Sequence, residues 1–289
     1  MSLIVKNLCY TYADDTDFAV HAVKDVSFTV EQGEVVGIVG HTGSGKSSLA
    51  QLICGLLKGD TGEIHLGDYE LVGQKKLKAQ ELAKRIGMVF QYPEYQLFEE
   101  SVYKELAYGP TNLGLSENEI NERIQALMHR LDMDGDFMTR NPLQLSGGEK
   151  RKVALASVLI MNPPILVLDE PFVGLDCVSK NEFTKMLLDW QKENNSTILC
   201  ISHDMDQLAV FCNRLLVMNG GNLVLDKDIK SAFAEHDIMA EAGILQPVPK
   251  ELLLKLKDLG CEIDTMPIDI DEACGAILDY LAKRGEQNG

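Results

Sequence analysis

Gly40-His41-Thr42-Gly43-Ser44-Gly45-Lys46-Ser47 is an unbroken G-x-x-x-x-G-K-[ST] run. The apolar stretch Val35-Val36-Gly37-Ile38-Val39 precedes it and Ser48-Leu49-Ala50-Gln51-Leu52-Ile53 follows, so the context predicts a buried strand, a glycine loop and a helix. In that setting glycines let consecutive backbone N–H groups turn toward one anion, and the helix N-terminus adds the positive end of its dipole. Lys46 can reach the outer phosphates of a nucleotide, and Ser47 is placed to hold Mg²⁺.

Other chemically able residues sit at the ends of further apolar runs. Ile165-Leu166-Val167-Leu168 ends in Asp169-Glu170, which reads as a central parallel strand delivering two acids to the carboxyl edge of the sheet. Two carboxylates at such an edge are costly without a cation or a proton-transfer task. The run Ser196 to Ser202 ends at His203-Asp204 and joins the same edge. Ile86 to Phe90 stops at Gln91, and Pro93 breaks the chain just beyond, which leaves that amide exposed beside a turn. Ser146-Gly147-Gly148-Glu149 precedes an apolar helix, Lys150 to Met161. Ser146 and the two glycines make a second helix N-terminus suited to an anion; a helix cap explains Ser146 but does not call for two consecutive glycines. Tyr12 closes an N-terminal β-rich segment, and its residue type fits equally a strand-end aromatic and a platform for an adenine ring.

Stepping these residues into place requires an alternation of strands and helices. Residues 3–12 and 22–31 read as strands around a polar loop, Ala13 to Phe18, with Val26, Phe28 and Val30 on one face. Residues 59–67 are a turn and a short strand, and Lys75 to Arg85 a charged surface helix. From Ser101 to about Arg140 the period is helical; Ser116-Glu117-Asn118-Glu119 is a capping box leading to Ile120, Ile124, Leu127, Met128 and Leu131. Gly174-Leu175-Asp176 turns into a helix from Lys180 to Lys192, and Asn219-Gly220 signals a hairpin between 214–218 and 221–225. Pro247-Val248-Pro249 marks a boundary. Beyond it Leu252, Leu253, Leu256 and Leu259 line one short helix, and Ala273, Ile277 and Leu281 line another from about Asp271 to Lys283. A tail this small is expected to have no core of its own and to pack its apolar face on the main domain or on another chain.

Composition sets outer limits. A net charge of −17 argues against general affinity for nucleic acid or an anionic membrane surface. Any membrane contact is then protein-mediated. Seven scattered cysteines with no C-x-x-C pair read as reduced, mostly buried thiols rather than a disulfide frame or a zinc site. No apolar run is long enough to span a bilayer, and the N-terminal residues lack the pattern of a signal peptide, so a soluble chain inside the cell is expected.

The phosphate loop, Gln91, Leu145 to Glu149, Asp169-Glu170, Asp176 and His203 occur in an order that resembles the ATP-binding subunit of ABC transporters, from about residue 3 to 232. The resemblance implies an α/β P-loop NTPase fold with a mostly parallel core sheet, an N-terminal antiparallel β subdomain, a helical subdomain at about 92–161 and a small C-terminal helical extension, 240–289. It implies ATP and Mg²⁺ as ligands. Lys46 and the backbone from Gly43 to Ser48 would cradle phosphates, and Ser47, Gln91 and Asp169 would serve the metal. Glu170 would polarise the attacking water, Gln91 and His203 would sense water and γ-phosphate, and Tyr12 would stack on adenine. Ser146, Gly147 and Gly148 would bind the γ-phosphate held by an opposite subunit.

Phe90-Gln91-Tyr92-Pro93-Glu94-Tyr95-Gln96-Leu97-Phe98, then Gly109 to Gly114, and the tail with its Pro-Lys-Glu-Leu-Leu-Leu helix are similar to the ATPases of energy-coupling factor (ECF) transporters of prokaryotes. That likeness implies uptake of a vitamin or metal ion and a second ATPase subunit, the same or different, paired through the extension. It also implies a transmembrane coupling protein with a substrate-binding membrane subunit, no nucleic acid, and a place on the cytoplasmic side of the membrane. The other class considered is a soluble ABC-type ATPase acting on ribosomes or DNA, which usually carries tandem domains or basic surfaces. Three positions depart from the common pattern: Glu149 for Gln, Phe172 for Thr or Ser, and Cys177 for Pro. The last two bear on the loop around Asp176 and motivate the hypothesis of reduced or asymmetric turnover at one of two sites.

Overall fold

Alternating and continuous apolar runs build two different sheets. The computed structural model describes residues 1–14, 16–72, 79–131, 133 and 135–287. β1 (Leu3–Tyr12) and β2 (Val20–Val30) pair antiparallel, with Val26, Phe28 and Val30 turned inward as their alternation predicts. β3 (Val35–Val39) is buried at every position and leads through the glycine loop into α1 (Lys46–Ile53). β4 (Thr61–Leu66) and β5 (Tyr69–Val72) return to the first pair and complete an antiparallel sheet of order β2-β1-β4-β5. β5 has no counterpart in the sequence reading. α2 (Ala79–Ala83) is the described part of the charged helix expected over Lys75 to Arg85; Lys75 to Lys78 lie outside the described residues.

β6 (Ile86–Val89) ends two residues before Gln91. The helical stretch that follows is α3 (Val102–Asn112), α4 (Glu117–Arg130) and α5 (Gly147–Leu159). Then come β7 (Ile165–Asp169), α6 (Cys177–Asn194), β8 (Thr197–Ile201), α7 (Met205–Phe211), β9 (Arg214–Asn219) and β10 (Asn222–Asp228). The second sheet runs β10-β9-β3-β8-β7-β6, parallel except for its β10 edge. The β9–β10 turn is Gly220-Gly221, both at positive φ, one residue later than the predicted Asn219-Gly220 because Asn219 still pairs with Asn222.

The parallel sheet is covered on both faces, as a continuous apolar strand requires. Val36 and Ile38 share a core with the antiparallel sheet and with Leu49, Leu52 and Ile53 of α1, while Val35 and Val39 face the core built with α3 to α7. A helix of only eight residues is marginal alone, so the burial of those three side chains, each worth about 1.5–3 kcal/mol, is what holds α1 and hence Lys46 at the sheet edge.

After α8 (Ile229–Ala234) and α9 (His236–Glu241), the chain ends in α10 (Val248–Asp258) and α11 (Ile270–Gln287). This tail has a small core of its own, Leu253, Ile263 and Ala273 with Leu256, Ile277 and Tyr280 against it, which corrects the expectation that it has none. Leu252, Leu259 and Leu281 are exposed instead of completing those faces. All seven cysteines are free; Cys54, Cys200 and Cys212 are buried, Cys9 and Cys261 half-buried, and Cys177 and Cys274 exposed, so fewer are buried than their scatter implied.

Candidate active site at the carboxyl edge of the parallel sheet

Strand register brings the chemistry together. Ile38 of β3 and Asp169 of β7 both pair with Ile201 of β8, and Val89 of β6 pairs with Leu168. The glycine loop, Gln91, Asp169-Glu170 and Ser202-His203 therefore leave the sheet at one edge, as their positions at the ends of apolar runs predicted. β9 lies on the other side of β3, with Val217 opposite Val39.

Within the loop each glycine has its own reason. A Cβ on Gly40 would lie 2.2 Å from the Met218 carbonyl oxygen and one on Gly45 would lie 2.1 Å from that of Ala22, while Gly43 needs only its φ of +82°. Gly45 is the residue before α1, at φ 103°. Lys46 Nζ donates to the Gly40 and His41 carbonyls at 2.8 and 2.9 Å and to Ser44 Oγ at 3.4 Å, which places its ammonium in the hollow of the loop. Burial lowers its pKa, and the nearby Glu170 and Asp169 oppose that shift. Ser44 is fully buried, Ser47 exposed at the head of the helix, and Thr42 exposed. His41 is tied outward: its N–H donates to the Ala242 carbonyl at 3.1 Å and its Nε2 lies 3.2 Å from Asn219 Oδ1. Tyr12 is half exposed, its hydroxyl 3.2 Å from Ser48 Oγ and its ring edge-on to Tyr10, so it stands beside the start of α1.

Glu170 is 6% exposed and sits at φ +53°, a left-handed conformation uncommon for a side chain of its size. Its N–H donates to the Ile201 carbonyl at 2.8 Å, and its Oε1 lies 2.6 Å from Nδ1 of the exposed His203. Burial first and the Asp169 charge second push its carboxyl up to about 7. Burial also raises Asp169, with Lys46 and His203 pulling the other way. A carboxyl near 7 suits a group that polarises water at neutral pH. Two desolvated acids facing one lysine leave negative charge that a divalent cation would offset. The oxygens of Ser47, Gln91 and Asp169 are the hard donors Mg²⁺ takes, so the residues fit that ion.

Ser146, Gly147 and Gly148 stand apart: among the described residues they make no hydrogen bond to the glycine loop. Ser146 caps α5, and Glu149 Oε2 accepts from its N–H at 2.8 Å and its hydroxyl at 2.6 Å, which holds the Glu149 carboxyl below its usual range. The full capping box is here. At Ser116 only the serine half forms. A Cβ on Gly147 or Gly148 would meet nothing within 4 Å, and neither has a positive φ, so nothing in this chain demands glycine there.

Asp176 caps α6, accepting from Ser179 N–H at 2.9 Å and Ser179 Oγ at 3.0 Å, and those bonds lower its pKa. Phe172 is buried edge-on against Phe183 and Phe211, so its departure from Thr or Ser is a packing feature, and Cys177 is an exposed first residue of α6.

Sequence reasoning missed the residues that hold these loops. Arg151 of α5 donates to the carbonyls of Val173, Pro171 and Glu170 and so ties the helix behind Ser146 to the loop that follows β7. Lys180 of α6 pairs with Asp204, which caps α7 directly after His203. Glu105 of α3, nearly buried, accepts from the N–H groups of Phe98 and Glu99 at 2.9 Å each and fixes the exposed stretch Tyr92 to Phe98. Nothing in the spacing singles them out: Arg151 stands between Lys150 and Lys152, Lys180 lies in a mixed polar segment, and Glu105 follows Lys104.

The chain is similar to known proteins over most of its length. A family model described as ABC transporter matches residues 23–173. The energy-coupling factor transporter ATP-binding protein EcfA2 of Clostridioides difficile (strain 630) is 42% identical over 99% of each chain. That of Clostridium tetani is 42% identical over 96% of each. Among solved structures, cbiO1 from Clostridium perfringens, part of the ABC transporter complex cbiONQ, superposes with a TM-score of 0.70 at 35% identity, covering 89% of this chain and 96% of that one. The ATP-binding cassette MJ0796, a dimer in a post-hydrolysis state bound to ADP and Pi, gives 0.69 at 26% identity, covering 78% and 98%.

Proposed function

We propose a composite-site mechanism for this chain, which belongs to the ABC transporter family and, within it, to the energy-coupling factor transporter ATP-binding proteins. It is an ATPase subunit that drives a transporter. The carrying observation is the shared register that brings the glycine loop, Asp169-Glu170 and His203 to one sheet edge, while the Ser146-Gly147-Gly148 helix end has two glycines its own chain does not require. The reading that accounts for both is that a second subunit's Ser-Gly-Gly caps the nucleotide held here, and this chain's caps the partner's.

In that reading Tyr12 stacks on the adenine and the backbone from Gly43 to Ser48 with Lys46 holds the phosphates. Ser47, Asp169 and Gln91 would hold Mg²⁺, which would supply neutralisation of phosphate charge. Glu170, its basicity raised by burial, orients and polarises the attacking water, and His203, 2.6 Å from it, senses the γ-phosphate. The exposed aromatics Tyr92, Tyr95, Phe98 and Tyr108 are the surface for a transmembrane coupling subunit. In the same reading the chain sits peripherally on the cytoplasmic face, drawn there through protein contacts, and it is compatible with this that among the described residues no helix is long and apolar enough to cross a membrane. The transported solute would be a vitamin or metal ion bound by a further membrane subunit. The net charge of −17 gives the ribosome or DNA alternative no support.

Glu170→Gln tests the site: it is expected to bind ATP and accumulate a closed dimer on size-exclusion chromatography, because water activation is lost while the phosphate contacts remain. No longer-lived dimer would sink the role given to Glu170. Isolation of the tagged chain from its native membranes, with crosslinking from Tyr95, is expected to recover a membrane subunit.

A further inference from the structure

A cleft of about 460 Å³ opens beside Glu170 and His203, and one of its walls comes from outside the ATPase core. Leu245, Gln246 and Val248, at the root of the C-terminal extension, line it together with Glu170, Phe172, Ser202 and His203. That root is fixed at two points. At its start the Ala242 carbonyl accepts from the N–H of His41 in the phosphate loop at 3.1 Å. At its end the N–H of Val248 donates to Asp206 Oδ1 at 2.7 Å, and Asp206 lies three residues past His203 in the first turn of α7. The second tie has no substitute. In Pro247-Val248-Pro249 only Val248 has an N–H, and the residue before α10 is a proline with no side-chain cap to offer, so Asp206 supplies from another element both the cap and the favourable charge at that helix end.

From this geometry we infer that Asp206 is a positioning residue for hydrolysis: by holding the extension's root against α7 it keeps Leu245 to Val248 as a wall of the cleft that contains Glu170 and His203. The extension is thereby joined to the catalytic edge and not merely appended to it. Its movement and the placement of His203 are coupled through the first turn of α7, where Asp204 also receives Lys180 from α6.

The inference rests on the reading of Glu170 and His203 given above, and the assembled complex tests both. Asp206→Ala removes the acceptor, Asp206→Asn keeps an oxygen there, and Val248→Pro removes the donor. The last is tolerable because proline suits the first position of a helix and Pro247, at φ −53° and ψ 140°, already has the extended conformation required before one. Asp206→Ala and Val248→Pro are each expected to lower kcat about fivefold, the scale of one positioning hydrogen bond, with KM for ATP within about twofold of wild type. Their combination should fall no further, and Asp206→Asn should recover most of the rate. A cap that serves only folding would lower the melting temperature and leave kcat alone, and that result overturns the inference. So would additive losses from the two sites. If Glu170→Gln retains wild-type turnover in the same assay, the reading of the site fails instead.

Discussion

At the scale of single residues, Glu170 takes its acidity from its surroundings and not from its residue type. Glu170 is held at about 7 by burial first and Asp169 second, so the fold favours its protonated form and a charge there costs stability at higher pH. In metal-free, nucleotide-free buffer Glu170→Gln is therefore expected to stabilise the fold at pH 8 by on the order of 2 kcal/mol, which raises the melting temperature by about 5 °C. The gain should fade as pH falls through about 7 toward the ordinary carboxyl range, and a pH-independent difference between variant and wild type would refute the assignment. The glycines separate into two kinds by the same reasoning. Gly40→Ala drives a Cβ against the Met218 carbonyl and should destabilise the fold. Gly147→Ala meets nothing in this chain and should stabilise α5 by about 0.5–1 kcal/mol while cutting ATPase activity of the assembled complex at least about tenfold. Calorimetry beside an activity assay reads both signs; a Gly147→Ala protein of full activity would remove the case for a ligand at that helix end.

At the scale of elements, the strands were readable and their supports were not. Continuous aliphatic runs announced β3, β7 and β8, and the edge they share follows from parallel topology. Long-range side-chain contacts leave no periodicity, which is why the sequence does not single out Arg151, Lys180 and Glu105. Phe172 is the instructive case. By type it looked like a fault in the loop leading to Asp176, yet its ring fills a space between Phe183 of α6 and Phe211 of α7 and so anchors that loop between the two helices. Phe172→Thr is expected to cost about 3 kcal/mol, measured by denaturant unfolding, because a large ring leaves a cavity that a threonine cannot fill. A loss below about 1 kcal/mol would mean that the site collapses and the anchor is weak. With Phe172 explained by packing, the hypothesis of unequal turnover narrows to Cys177, whose replacement by proline at the start of α6 leaves the helix intact.

At the scale of the whole molecule, a periodic pattern shows that a helix has an apolar face but not what covers it. α11 carries two neighbouring apolar stripes. Ala273, Ile277 and Tyr280 face the small core shared with α10, whereas Ile270, Cys274, Leu278 and Leu281, spaced by four, four and three residues, remain exposed. A row of large apolar side chains on one face of a terminal helix, in a chain whose nucleotide site is read as needing a second subunit, is best accounted for as the seam that keeps two subunits together between rounds of ATP-driven closure. Leu278→Glu with Leu281→Glu therefore should leave the melting temperature of the dilute subunit within about 1 °C of wild type, because both side chains already face solvent. The same change should weaken association at least about tenfold by burying charge where apolar contact is required. Specific ATPase activity followed on dilution, with whichever ATPase subunit co-purifies, would show the loss as a shift of the half-activity concentration to higher protein. Coincident dilution curves for variant and wild type would mean that pairing rests on the nucleotide sites alone and that the exposed stripe of α11 has another occupant.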